Sequence, residues 1–209
     1  RLCDAVGADI KAIANAMGKD GRIGNKFLHP GPGYGGSCFP KDTEAIAHIG
    51  RINNVPLSII ESVIISNKKQ KDYSAAKIIG HLKNTKEPMV GILGVAFKSE
   101  TDDVRESPAI DIINKLLLAG IKVKVYDPKA MRNLQKIMGD KIEYCEDEYQ
   151  TSYNCDCITI ITEWNQFRNL DLNRLYNSMK GKIFFDLRNI YNSEEVTSYG
   201  FEYVGMGQK

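Results

Sequence analysis

Beyond Pro88 the chain alternates short apolar runs with segments of helical period, and few folds accommodate that order. Residues 89–93 form one continuous apolar run, and Lys122-Val123-Lys124-Val125-Tyr126-Asp127 reads as a second strand. Further runs at 142–144, 157–161, 183–186 and 201–204 have the length and β-branched or aromatic content of strands. Between them, residues 107–119 carry apolar side chains at helical spacing with Pro108 in the first turn, and another helix runs through residues 134–138. Runs without polar alternation mark strands covered on both faces. The βαβα order therefore predicts a parallel sheet with helices on both faces, a Rossmann-like unit.

The residues before Pro88 are helical in period. Residues 2–17 read as a helix interrupted at Gly7-Ala8-Asp9, a C-cap followed by a new N-cap. The period resumes over residues 42–52, and a longer pattern follows Pro56, from Leu57 to Leu82. A helix that long in a chain of 209 residues is expected to span domains or form a subunit interface. Asn84-Thr85-Lys86-Glu87-Pro88 is a polar breaker and sets the division, residues 1–85 helical and residues 86–209 α/β. Lys and Arg number 28 against 26 Asp and Glu, with no basic stripe, so nucleic acid is not an expected partner. No apolar stretch reaches the ~18 residues of a membrane helix. Five cysteines at irregular spacing describe no disulfide framework, and no zinc spacing accompanies Cys155 and Cys157, which read as packing residues of a strand. A reducing cytoplasm is the expected setting.

Between the helices the periodicity dissolves. Residues 18–37 contain seven glycines and two prolines, and Ile23, Phe27, Leu28 and Tyr34 are expected to anchor the segment. It ends in Gly35-Gly36-Ser37-Cys38-Phe39-Pro40-Lys41-Asp42. Pro40 suits the first turn of a helix, so Cys38 stands at a helix N-terminus, where the dipole favours negative charge on sulfur. Lys41 adds a positive charge, and Asp42, one turn on, is placed to act on a water. These residues fit a thiol nucleophile of several enzyme classes, proteases and acyltransferases included. They equally fit a packed cysteine followed by an N-terminal acidic residue.

The longer run from Gly21 to Asp42 resembles the active-site signature of the UDP-glucose/GDP-mannose dehydrogenase family, in its UDP-glucose branch. Gly91-Ile92-Leu93-Gly94-Val95-Ala96-Phe97-Lys98, with residues 101–108, is similar to the start of that family's UDP-binding domain. Thr162-Glu163-Trp164 and Phe185-Asp186-Leu187-Arg188-Asn189 follow in family order. The resemblance implies a helical central, dimerising segment before a Rossmann-like UDP-binding domain. It implies oxidation of a sugar alcohol to a carboxylate with NAD, through a thiohemiacetal and thioester on Cys38 and with Asp42 assisting water. It places Lys41 and Arg105 at the cofactor. The substrate residues it implies are Arg22 (reaching a neighbouring subunit), Phe27, Leu28, His29, Pro30, Gly31, Gly35, Phe97, Lys98 and Arg188.

UDP-glucose and UDP-glucuronate are the implied ligands. GDP-mannose or UDP-N-acetylmannosamine as substrate, or a non-catalytic nucleotide-sugar-binding or dimerisation module, are the alternatives. Gly91-x-x-Gly94 falls short of a dinucleotide fingerprint, so the second unit reads as the nucleotide-sugar side. No metal site is expected. Trp164 is expected to pack at a strand end, and His29, His48 and His81 are scattered. The opening Arg1-Leu2-Cys3-Asp4 reads as the inside of a helix, and without a primary NAD-binding domain the isolated chain is expected to be inactive.

Overall fold

The computed structural model describes residues 1–208. Two short helices open it, α1 (Leu2–Val6) and α2 (Ile10–Gly18). Gly7 takes the left-handed conformation that closes α1, and the Asp9 carboxylate accepts the Lys11 amide to start α2. An irregular segment leads to α3 (Phe39–Ile52) and then α4 (Ser58–Leu82), about 37 Å long at the standard rise. The C-terminal third of α4 does not stand apart: Ala75, Ile78 and Leu82 are buried in the same core as the sheet.

The remaining elements are β1 (Met89–Leu93), α5 (Pro108–Leu118), β2 (Lys122–Tyr126), α6 (Met131–Met138), β3 (Glu143–Tyr144), α7 (Glu148–Ser152), β4 (Cys157–Ile160), α8 (Leu172–Ser178), β5 (Ile183–Asp186), α9 (Ser193–Ser198) and β6 (Glu202–Gly205). The strands form one parallel sheet in the order β3-β2-β1-β4-β5-β6. That is the Rossmann-like arrangement expected, and its strand order reverses between β1 and β4. All four residues of β4 are buried, Cys157 and Thr159 among them, in keeping with a packing role for this cysteine. Phe184, Phe185, Ile158 and Leu93 fill the centre of the core. In such sheets ligands bind outside the carboxyl ends of the strands, where the order reverses.

One expectation is overturned. Ile23 and Phe27 do not anchor the glycine-rich segment: Ile23 is exposed, and Phe27 is 89% exposed with a left-handed φ of 66°. The segment is held instead by polar side chains of α4 and by the segment that follows β1. No helix of the described residues is long and apolar enough to cross a membrane.

Candidate functional site

The glycine run is wedged between α4 and the β1–α5 connection. From α4, Asn67 makes a closed pair with Tyr34, its amide donating to the Tyr34 carbonyl (3.0 Å) and its oxygen accepting the Tyr34 amide (2.8 Å). Gln70 donates to the Gly31 carbonyl at 2.9 Å. From the other side, Gly36 donates to the Arg105 carbonyl at 2.9 Å. Gly36 has a φ of 90°, and a Cβ on it would lie 2.7 Å from the Phe97 ring. A Cβ on Gly35 would lie 2.3 Å from the Glu106 carbonyl oxygen. These two glycines let one backbone run against another, which no side chain would permit. Residues 31–36 spell G-x-G-x-x-G, yet no strand precedes them, so the spelling carries no dinucleotide geometry.

The wedge delivers Cys38 as the N-cap of α3, and of the five cysteines it alone is exposed. Its carbonyl accepts the Asp42 amide at 2.8 Å, so Asp42 stands one turn along. The Asp42 carboxylate is paired with Lys41 at 2.6 Å. Lys41 is held above its ordinary range, chiefly by that bond to Asp42 and least by the Cys38 sulfur. Arg105 is held up in the same way, chiefly by a two-pronged bond to Asp103 (2.9 and 2.7 Å) and least by Cys38. Two exposed cations, one from α3 and one from the β1–α5 connection, are thus each paired with their own carboxylate in the neighbourhood of the sulfur. In return Arg105 holds the Asp103 carboxyl below the usual range.

Arg188, just past β5, is half-buried and joins three segments. Its Nε donates to the Ile161 carbonyl at 2.6 Å, its Nη2 to the Phe97 carbonyl at 3.3 Å, and its Nη1 lies 3.1 Å from where a Cβ on Gly31 would be. Burial pushes its guanidinium down from the ordinary value while Glu163 pulls it back. Lys98 is exposed, its ammonium 5.6 Å from the Phe97 ring centroid. Gly31, Gly35, Phe97, Lys98 and Arg188 thus meet beside the Cys38 loop, at the reversal between β1 and β4.

Arg22, Phe27, Leu28 and His29 are not drawn into this cluster by any described contact. Arg22 is 89% exposed and pairs with Asp20 at 2.6 Å. Phe27 and His29 are exposed, Leu28 and Pro30 partly so. A cleft of about 550 Å³ opens nearby among α3, α4 and α5, with Tyr34, Lys41, Asn67, Lys71 and Asp111 in its wall. Pro40 and Lys41 line it, while Cys38 does not.

Sequence reasoning did not find Asn67, Gln70 or Lys71. Lys71, 7% exposed, pairs with Asp111 at 2.7 Å and donates to the Glu106 carbonyl at 3.3 Å, bracing the backbone against which Gly35 packs. The available signal was an unbroken polar run, Ser66 to Asp72, inside a helix otherwise rich in isoleucine.

Residues 1–69 match the model of the UDP-glucose/GDP-mannose dehydrogenase family's central domain, and residues 91–193 match that of its UDP binding domain. A UDP-glucose 6-dehydrogenase of Rhizobium meliloti is 42% identical over 99% of this chain and 47% of its own length. One from Rickettsia bellii is also 42% identical, over 100% and 48%. A solved UDP-glucose dehydrogenase from Pyrobaculum islandicum superposes with a TM-score of 0.86 at 33% identity, covering 98% of this chain and 45% of that one. The chain spans about half the length of these relatives. Two consecutive models of one family, matched in order along a fold whose site lies where they join, leave one assignment: the chain belongs to the UDP-glucose/GDP-mannose dehydrogenase family.

Proposed function

We propose that the protein containing this chain oxidises the C6 alcohol of UDP-glucose to the carboxylate of UDP-glucuronate, with Cys38 as the covalent group. The supporting observation is an exposed thiol at a helix N-terminus, at the end of a glycine run that packs against Arg188 and Phe97. A diphosphate needs cations, and this crevice holds Arg188 and Lys98. The Cys38 sulfur adds to the carbonyl carbon of the aldehyde intermediate, whose oxygen takes up a proton, to give a thiohemiacetal. Oxidation at that carbon leaves a thioester. Water, giving a proton to Asp42, then cleaves the C–S bond and frees the acid and the thiol. NAD, when bound, would accept the two electron pairs that this alcohol-to-acid oxidation releases. Lys41 and Arg105, exposed cations near the Cys38 loop, fit an anionic dinucleotide and would hold it.

Residues 27–30 form the part of the loop that closes on the sugar, and Arg22 reaches the site of a neighbouring copy. The division at residues 85 and 86 and a cytoplasmic, reducing setting belong to the same reading. Calorimetric titration with UDP-glucose, UDP-glucuronate, GDP-mannose and UDP-N-acetylmannosamine tests it, with UDP-glucose expected to bind more tightly than GDP-mannose. Preference for GDP-mannose would move the protein to that branch, and binding of none of the four would remove the reading.

The same reading includes a homodimer through the central helices. Ile46, Ile49, Ile52, Ile59 and Val63 of α3 and α4 are all exposed, Ile59 at 78%. That much apolar surface on adjoining helices is uncommon on a monomer. Ile59→Glu is expected to convert the sedimenting species from dimer to monomer. An unchanged dimer would place the interface elsewhere.

A further inference from the structure

Three consecutive side chains just past β4 each grip a different part of the crevice. Thr162 Oγ1 donates to the Ala96 carbonyl at 2.6 Å. Glu163 Oε2 lies 3.0 Å from Arg188 Nε, as a charge contact, since the Nε proton goes to Ile161. Trp164 Nε1 donates to Asp127 Oδ2 at 3.1 Å. That oxygen also accepts the Val95 amide (2.7 Å) and the Ala96 amide (3.0 Å), while Oδ1 accepts the Lys129 and Ala130 amides. Five donors fill the carboxylate, which accommodates about four.

Asp127 follows β2, the position at which Rossmann sheets place an acidic residue to read a ribose. Here the carboxylate is 1% exposed and saturated from within. It holds the start of the turn that carries Phe97 and Lys98, and the Trp164 indole is one of its five supports. Packing alone does not account for the trio, because adjacent residues point different ways and each ends on a polar atom of a site segment.

We propose that Thr162, Glu163 and Trp164 are positioning residues, which set the residue 95–98 turn and the Arg188 guanidinium at the spacing a sugar-nucleotide diphosphate requires. The proposal rests on the reading of this crevice as a UDP-sugar site. Glu163 acts on Arg188 by supplying the one opposite charge beside a guanidinium otherwise surrounded by carbonyls. Thr162 and Trp164 both act on the start of the turn, Thr162 on the Ala96 carbonyl and Trp164, through Asp127, on the Val95 and Ala96 amides. Removing any of them leaves every ligand-facing group in place and changes only where it points.

The test compares the parent chain with Glu163→Gln, Trp164→Phe and a control, Asp156→Asn. The control breaks a pair with Lys180 at the opposite end of the sheet, where the Asp156 carboxylate also accepts the Met89 amide. UDP-glucose affinity by calorimetry, melting temperature, and the Arg188 Nε–H resonance by NMR are read for each. Glu163→Gln and Trp164→Phe are each expected to weaken UDP-glucose about tenfold, the order found when groups that orient metal ligands are removed. Glu163→Gln should also shift the Arg188 resonance. Asp156→Asn should lower the melting temperature while keeping affinity within about twofold. Parent-like affinity in Glu163→Gln, which is partly exposed and is not expected to unfold the chain, overturns the proposal. If the parent chain itself binds no UDP-glucose, the functional reading fails and takes the proposal with it.

Discussion

Treated with iodoacetamide at about pH 8, the folded chain is expected to lose one of its five thiols quickly and the other four only on unfolding. Cys38 is exposed; Cys3, Cys145, Cys155 and Cys157 are buried. Burial pushes the Cys155 thiol up to about 12 and raises Cys145 and Cys157 as well. A thiol titrating near 12 is about one part in ten thousand thiolate at pH 8, and the thiolate is the species that alkylates. Access adds a second barrier, since the sulfur must first be uncovered by local opening. Mass mapping of the labelled peptide is expected to find Cys38, Cys38→Ser to abolish the fast phase, and saturating UDP-glucose to slow it. Fast labelling elsewhere would contradict the burial. Fast labelling of Cys38 that UDP-glucose leaves untouched would separate the thiol from the substrate crevice and remove the covalent step.

The buried thiols also fix a sign for stability. Their folded titration lies above the unfolded value of 9.0, so the folded state keeps protons that the unfolded chain releases. Their contribution is complete below about pH 9 and is lost as pH rises from there toward 12. Chemical denaturation midpoints should therefore fall across that window, and replacing Cys155 with Ala should reduce the fall.

Which parts of this were legible beforehand follows from the range of the forces involved. The central strands β1, β4 and β5 were readable because a strand covered on both faces must be largely apolar, a constraint written in four or five adjacent residues, and β2 because Val123 and Val125 alternate with Lys122 and Lys124. The helices α7, α8 and α9 went unread: at five to seven residues they are too short to show a period, though Asp147, Asp171 and Asn192 cap them. The candidate nucleophile was visible because glycines, Cys38 and Pro40 are contiguous. What holds it there was not, since Tyr34 is tied to Asn67 and Gly31 to Gln70, partners 33 and 39 residues away. Ile23 and Phe27 show the converse error. An apolar residue in a loop reports a preference for cover, and whether cover exists is decided by distant elements. Trp164 was expected to pack, and it does, but the hydrogen bond from its indole to Asp127 is invisible without the fold.

Gly35→Ala and Gly21→Ala place that distinction under direct test, because the composition of the loop alone offers no reason to treat two of its glycines differently. Around Gly21 nothing lies within 4 Å of an added Cβ, and its φ is not in the left-handed region. Alanine there is expected to be neutral or to stabilise slightly, by up to about 1 kcal/mol through the unfolded state. At Gly35 the Cβ would meet backbone, 2.3 Å from the Glu106 oxygen and 2.8 Å from its carbon, and backbone braced by Lys71 cannot swing aside as a side chain can. Overpacking of this kind costs about 1–3 kcal/mol, which for a domain of this size lowers the melting temperature by roughly 2–12 °C. The functional effect is expected to be larger. Relief of the clash must push the glycine run away from the β1–α5 connection, and Cys38 follows three residues on. A displacement of about 1 Å at a reacting group costs on the order of 100-fold in rate. In the protein carrying this chain, Gly35→Ala is thus expected to lose about that factor in Cys38-dependent turnover while Gly21→Ala retains parent activity. If the two variants melt and turn over alike, the wedge does not set the position of the thiol, and Cys38 owes its placement to α3 alone.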